Sequence, residues 1–176
     1  MFDKEYSFRG SHALKVDKLT AQFDENSKAK LFARNIDIYV NAPIVGFLYG
    51  RTALLDTSTQ ETAKIMGDRV IYSKEDLKYN YRLIILLDAK HEPDPVERIN
   101  KAFRTIGTEV AMVDEALFES YVRGGVDVLY EKLIDGVANP DDYVNRLYDF
   151  IEEFDERFNQ AISTESILAL CEKANA

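Results

Sequence analysis

A stripe of large apolar residues near the C-terminal end is the feature that most limits how this chain folds. The apolar side chains recur three and four positions apart, at Tyr143, Leu147, Phe150, Ile151, Phe154 and Phe158. That spacing places them on one face of an α-helix. The segment Asn139-Pro140-Asp141 comes directly before the stripe and is a typical helix start. The pattern predicts an amphipathic helix that packs on other helices of the same chain.

Helical spacing also recurs through most of the remaining sequence. Helices are predicted near residues 11–23, 29–55, 74–88, 95–104 and 113–134, with a short further one at 166–173. At 176 residues the chain has the usual size of one domain. The prediction is therefore an all-α fold: a single-domain irregular bundle of about six to seven helices over residues 1–176. The ends, 1–8 and 174–176, are expected to fray.

Three places in this helical pattern leave alternatives open. Pro43 removes one helical hydrogen bond, which predicts either a kinked helix or two helices. The adjacent Gly124 and Gly125 cost helix stability and indicate a kink or a boundary. The run 83–87 is apolar on every side, so it fits a buried helix or a strand, and a strand would make the fold α+β. The polar residues 56–62 are predicted to form a linker before a turn at 63–66.

Composition and motifs exclude several classes of protein. Cys171 is the sole cysteine, so no intramolecular disulfide forms, and a buried, inert thiol is the expectation. The longest apolar stretch, 36–49, contains Asp37, Asn41 and Pro43 and is shorter than a bilayer requires. A cytoplasmic protein without membrane contact is expected. Phosphate-binding, dinucleotide-binding and metal-binding motifs are absent from the sequence, so no cofactor or metal is predicted.

The charge is concentrated near the C-terminus. Residues 109–176 contain sixteen Asp and Glu against five Lys and Arg, within a net charge of −9 for the whole chain. Opposite the aromatic stripe lie Glu152, Glu153, Asp155 and Glu156. We interpret this acidic face as a surface for a protein partner, because a patch of one sign speeds association with the opposite charge. An ordinary solvated helix face is the alternative.

Two other functions remain open from the sequence. The basic residues Arg9, Lys15 and Lys18 would contact phosphates if the chain were a nucleic-acid-associated helical protein or an accessory subunit of a DNA-handling system. A small-ligand binder or an enzyme would instead use a polar pocket beside Pro43, lined by Arg34, Asp37, Asn41 and Arg51. An Arg34–Asp37 ion pair with Asn41 capping the carbonyls that Pro43 frees is the simpler interpretation of the second group.

A non-enzymatic interaction or accessory protein of an intracellular, bacterial complex is the leading hypothesis. No nucleophile and base can be paired from the sequence. His12 and His91, the two candidates for a general base near neutral pH, are predicted to lie on the surface. Dimerisation through a face other than the aromatic stripe remains open.

Overall fold

The computed structural model describes residues 1–24 and 27–158. Within them, seven α-helices surround a common core: α1 (Ser11–Thr20), α2 (Asn35–Leu48), α3 (Gly67–Tyr72), α4 (Lys74–Leu87), α5 (Pro95–Phe103), α6 (Met112–Leu133) and α7 (Pro140–Phe158). A 3-10 turn, Glu109–Ala111, precedes α6. The predicted helical bundle is confirmed, and 83–87 belongs to α4, so that run is not a strand.

A small sheet was not predicted. Strands β1 (Tyr6–Arg9) and β2 (Thr62–Ile65) pair antiparallel, with Tyr6 opposite Ile65 and Arg9 opposite Thr62. The turn predicted at 63–66 is therefore wrong for 63–65, which are strand residues. Four-residue strands give too short an alternation of apolar and polar residues to be distinguished from a turn.

The N-terminal end is part of the core, which differs from the prediction that residues 1–8 fray. Phe8 on β1 is 1% exposed and Phe2 is 7% exposed. Their rings contact Tyr39 of α2 edge to face, and Phe2 also meets Phe118 of α6. Burial of two phenylalanines outweighs the entropy that a chain end gains by fraying. Three other predictions lie outside the described residues: the frayed end at 174–176, the short helix at 166–173 and the buried thiol of Cys171.

Helices α2 and α6 form the most extensive helix contact in the described part of the chain. Both are unbroken: α2 is one helix across Pro43, and α6 continues through Gly124 and Gly125. A Cβ on Gly125 would lie 1.8 Å from the carbonyl oxygen of Ala42, and one on Gly46 would lie 2.1 Å from that of Tyr121. The glycines therefore allow the two backbones to touch. Their role is close packing, not a kink or a helix boundary.

Side-chain hydrogen bonds satisfy backbone groups at the starts of two helices and near Pro43. The Asp56 carboxylate accepts a hydrogen bond from the Ser11 amide at 2.8 Å, at the start of α1. Asp94 caps α5 as predicted, accepting from the Val96 amide at 2.8 Å. On α4, the buried Asn80 donates to the Val40 carbonyl of α2 at 2.7 Å, close to Pro43.

Helix α7 lies on the outside of the bundle. None of its described side chains is fully buried, although Tyr143 and Phe150 pack against the core and Phe150 stacks with Tyr49. The described residues thus cover its apolar face only in part. None of the helices within residues 1–24 and 27–158 has both the length and the hydrophobicity needed to cross a bilayer.

The α2–α6 contact gives a direct test of the packing. In an ordinary helix interior, Gly→Ala is stabilising by about 1 kcal/mol. For Gly125→Ala we expect the opposite sign, a loss of roughly 1–3 kcal/mol or more, because the added methyl would overlap the Ala42 carbonyl. Urea denaturation measures the difference. Gly67→Ala is the matched control, because its Cβ would meet nothing closer than 3.4 Å, and it should be neutral or slightly stabilising.

Candidate functional site

The predicted polar pocket is not assembled as one site. Arg34 and Asp37 form an ion pair, with 2.8 Å between Nη2 and Oδ1, at the start of α2. The Asn41 amide donates to the Asp37 carbonyl at 2.7 Å and not to the carbonyls near Pro43. Arg51 lies past the other end of α2 and pairs with Glu131 of α6 at 2.7 Å. A 14-residue helix is about 21 Å long, so Arg51 does not join the other three.

The lysines proposed for nucleic acid contact α6. Nζ of Lys15 is 2.6 Å from Oδ1 of Asp127. Lys18 donates to the Tyr130 hydroxyl at 3.2 Å, and both lysines lie over that ring. Arg9 is exposed beside residues 57–62. Lys15 is therefore already paired within the fold, and these positions do not form a continuous basic surface.

Both histidines are more enclosed than predicted. His12 is 5% exposed, with Nε2 3.4 Å from Oδ1 of Asp127, so its expected surface position is wrong. His91 is partly buried, and its Nε2 is 2.6 Å from Oδ1 of the buried Asp114. Lys101 lies 3.6 Å from the same carboxylate oxygen. These contacts tie α1 and the α4–α5 loop to α6.

The four acidic residues of α7 that were predicted to form the partner surface differ in their surroundings. Glu153 is partly buried, accepts from Nζ of Lys132 at 2.6 Å and from the Tyr49 hydroxyl at 3.2 Å, and so anchors α7 to the bundle. The Lys132 hydrogen bond is the main cause that lowers the pKa of Glu153. Glu152, Asp155 and Glu156 are exposed. The acidic face is therefore made of these three.

An apolar groove and an exposed apolar stripe adjoin that acidic face. The groove, about 580 Å³, lies between α2, α6 and α7 and is lined mainly by Phe32, Val45, Leu129, Phe150, Phe154 and Phe158. Next to it on α7, Val144, Tyr148 and Ile151 are 58%, 65% and 58% exposed. Their spacing of four and three residues keeps them on one side of the helix. We call these three residues the α7 stripe.

A second cavity, of about 270 Å³, has a different character. It lies where the N-terminal residues, α2 and α6 meet, and Tyr6, Tyr39, Glu115 and Glu119 line it together with Phe2. The Tyr6 and Tyr39 hydroxyls each donate to one oxygen of the Glu119 carboxylate, both at 2.8 Å. The two tyrosine rings stack, with centroids 4.0 Å apart. We call this the tyrosine–glutamate cavity.

The surroundings of Glu119 disfavour the charged form of its carboxylate. Burial raises the pKa of Glu119, and the negative charge of Glu115 adds to the rise, while the two tyrosine hydrogen bonds and the charge of Arg123 oppose it. Burial also raises the pKa of both tyrosines, so their hydroxyls remain donors. Ionising Glu119 therefore costs more in this site than it does in water.

Sequence reasoning missed this cavity because its parts are far apart in the chain. Tyr6 and Glu119 are separated by 113 residues, and Tyr39 and Glu119 by 80. The only local signal was the pair Glu115 and Glu119, one helical turn apart on α6, which are like charges and unfavourable together. Because such pairs are common on solvated helices, the sequence did not indicate Glu115 and Glu119 as site residues.

Comparison with known proteins adds no relative: no family model matches the chain, and no curated protein or solved structure matches it. Its function is therefore inferred from its own residues. Among the described residues, no group of three or more His, Cys, Asp and Glu side chains is arranged to hold a metal ion.

The raised pKa of Glu119 predicts a pH-dependent effect of removing its charge. The folded protein loses stability relative to the unfolded chain as pH rises and Glu119 ionises, because its pKa is higher in the folded state. Gln cannot ionise. We therefore expect the stability of Glu119→Gln relative to the unsubstituted protein to increase between about pH 4 and about pH 7. Denaturant unfolding at both pH values measures it.

Glu152→Gln controls for the loss of one negative charge, because Glu152 is exposed on α7. A relative stability of Glu119→Gln that is constant with pH, or that follows the Glu152→Gln control, would contradict the assignment of burial as the cause.

Proposed function

We propose that this protein is an interaction module that binds a partner protein through α7, and that the partner presents a basic amphipathic helix. The observation that carries the proposal is the α7 stripe: three large apolar side chains exposed in a row beside an apolar groove. Single exposed apolar residues are ordinary, but a contiguous apolar surface bordered by charge is typical of a binding site.

The charge around the stripe indicates the chemistry of the partner. Residues Pro140–Phe158 contain seven Asp and Glu against two Arg. Glu152, Asp155 and Glu156 border the stripe, so lysines or arginines flanking an apolar helix face would lie opposite them. A second copy of this chain would bring an equally acidic helix against α7, and like charges across an interface are unfavourable. A basic partner therefore fits better than self-association.

The shape of the region agrees with a helical partner. An amphipathic helix that binds a protein buries its apolar face against an apolar surface of that protein, and the α7 stripe with the adjoining groove offers such a surface. The adjoining groove is large enough to accept several anchor side chains, and the neighbouring rings of Phe150 and Phe154 line it. Helix α7 itself is held in place by the Lys132–Glu153 ion pair at 2.6 Å.

Binding assays with three variants of the full chain test the proposal. Val144→Ser/Tyr148→Ser/Ile151→Ser removes the stripe, Glu152→Lys/Glu156→Lys reverses the border charge, and Leu54→Ser/Tyr72→Ser removes two apolar side chains that are each 88% exposed elsewhere. Affinity capture from a lysate identifies candidates, and titration calorimetry with each purified candidate gives its affinity. We expect the first two variants to weaken binding by at least roughly tenfold and the third to leave it unchanged.

Measurements of stability and of oligomeric state test whether the chain itself, or a second copy of it, covers the stripe instead. All three stripe residues are more than half exposed, so the stripe variant should keep the melting temperature of the unsubstituted protein. A fall of several degrees would show that the chain covers the stripe itself, and a dimer that dissociates in that variant would show a second copy there. Either result overturns the proposal, as does a partner that binds all variants equally.

A further inference from the structure

Most of the charged side chains that line the tyrosine–glutamate cavity are negative. Four carboxylates line it, those of Asp3, Glu5, Glu115 and Glu119, against one basic side chain among the described residues, that of Lys4. Glu5 is paired with Lys64 at 2.6 Å on the outer side of the sheet. Neither Glu115 nor Glu119 has a described Lys, Arg or His nitrogen within 4.0 Å. The two carboxylates on α6 thus have no ion-pair partner in the cavity.

The Glu119 carboxylate keeps acceptor capacity after binding the tyrosines. Each oxygen accepts one hydroxyl, and an ionised carboxylate offers about four lone-pair sites in total. The nearest basic residue along α6, Arg123, directs its Nε to the Ala53 carbonyl at 2.9 Å. A donor entering the cavity can therefore reach Glu119 without displacing either tyrosine.

We propose that this cavity binds an organic cation, an alkylammonium or guanidinium group, held by Glu115 and Glu119 beside the partly exposed ring of Tyr6, with the buried rings of Phe2 and Tyr39 behind it. A bound cation would relieve the cost of keeping a negative charge in a partly buried site. Aromatic faces attract organic cations through their quadrupole. A hard metal ion instead prefers to be surrounded by oxygen ligands, and the rings occupy much of this wall. The inference concerns a different surface from the α7 stripe and does not depend on it.

The dimensions restrict the ligand to a small one. A volume of 270 Å³ corresponds to about nine water molecules at roughly 30 Å³ each. That space accommodates a free amine or one lysine or arginine side chain of a peptide, which share the same chemistry. Lys4, exposed and lining the cavity, is a tethered competitor for the same carboxylates.

Titrations of the full chain followed by NMR test the site. The probes are n-butylammonium, n-propylguanidinium and a capped Gly-Arg-Gly peptide, with 1-pentanol as the uncharged control and Mg²⁺ and Ca²⁺ as metal controls. We expect saturable binding of at least one organic cation, with shifts at Tyr6, Tyr39 and Glu119. Comparing the peptide with the free cations distinguishes a protein side chain from a small amine as the ligand.

Variants locate the binding. Glu115→Gln and Glu119→Gln should each weaken the affinity by at least roughly tenfold, because each removes a charged hydrogen-bond acceptor. Lys4→Ala should strengthen it by removing the competing charge. Glu97→Gln on α5 is the matched control and should not change it, because Glu97 is exposed and does not line the cavity. Circular dichroism shows whether each variant is folded, and the partly exposed Glu115 provides the test should Glu119→Gln unfold.

Three results would overturn the proposal. The first is no saturable shift with any organic cation up to millimolar concentrations. The second is an affinity equal in Glu115→Gln, Glu97→Gln and the unsubstituted protein, which would indicate unspecific attraction to an acidic chain. The third is binding of Mg²⁺ or Ca²⁺, but not of the organic cations, at the same residues. None of these results bears on the α7 stripe, so the two proposals fail separately.

Discussion

The backbone contact between α2 and α6 is the constraint on which the rest of the structure depends. Gly46 and Gly125 let the two helices meet at a distance at which a Cβ would overlap a carbonyl oxygen of the other helix. This closeness fixes the position of α6, and α6 in turn carries Glu119, Asp127 and Tyr130. The tyrosine–glutamate cavity, the attachment of α1 and the attachment of α7 through Lys132 all take their geometry from it.

The elements with strong local signals were predictable from the sequence. The Asp94 cap of α5 and the start of α7 at Pro140 each follow from a residue at a helix terminus, and α4 begins at Lys74 as predicted although Ser73 makes no side-chain capping hydrogen bond. The Arg34–Asp37 pair was also foreseen, because residues three apart on a helix are neighbours. In each of these cases, the residue that gives the signal lies within one helical turn of the feature that it predicts.

Features that depend on distant residues were not predictable in the same way. Gly124 and Gly125 were interpreted as a helix weakness, because a glycine pair lowers helix propensity and the sequence does not show that another backbone lies against it. The short sheet and the buried N-terminal end were missed because β1 depends on β2 and on Tyr39 of α2. Glu119 is an ordinary glutamate until folding brings two tyrosines to it. The proposed cation site therefore required three-dimensional structure, whereas the acidic face of α7 did not.

The long separation of the contacting residues also has a consequence for biosynthesis. Tyr6 reaches Glu119, and Lys15 reaches Asp127, across more than a hundred residues. On the ribosome, the aromatic N-terminal segment therefore emerges well before α6 exists to receive it. During that interval Phe2 and Phe8 have no complete core to enter, and exposed apolar segments of this kind are prone to aggregate or to be bound by chaperones. The same contacts that stabilise the finished fold make the nascent chain vulnerable until most of it has been translated.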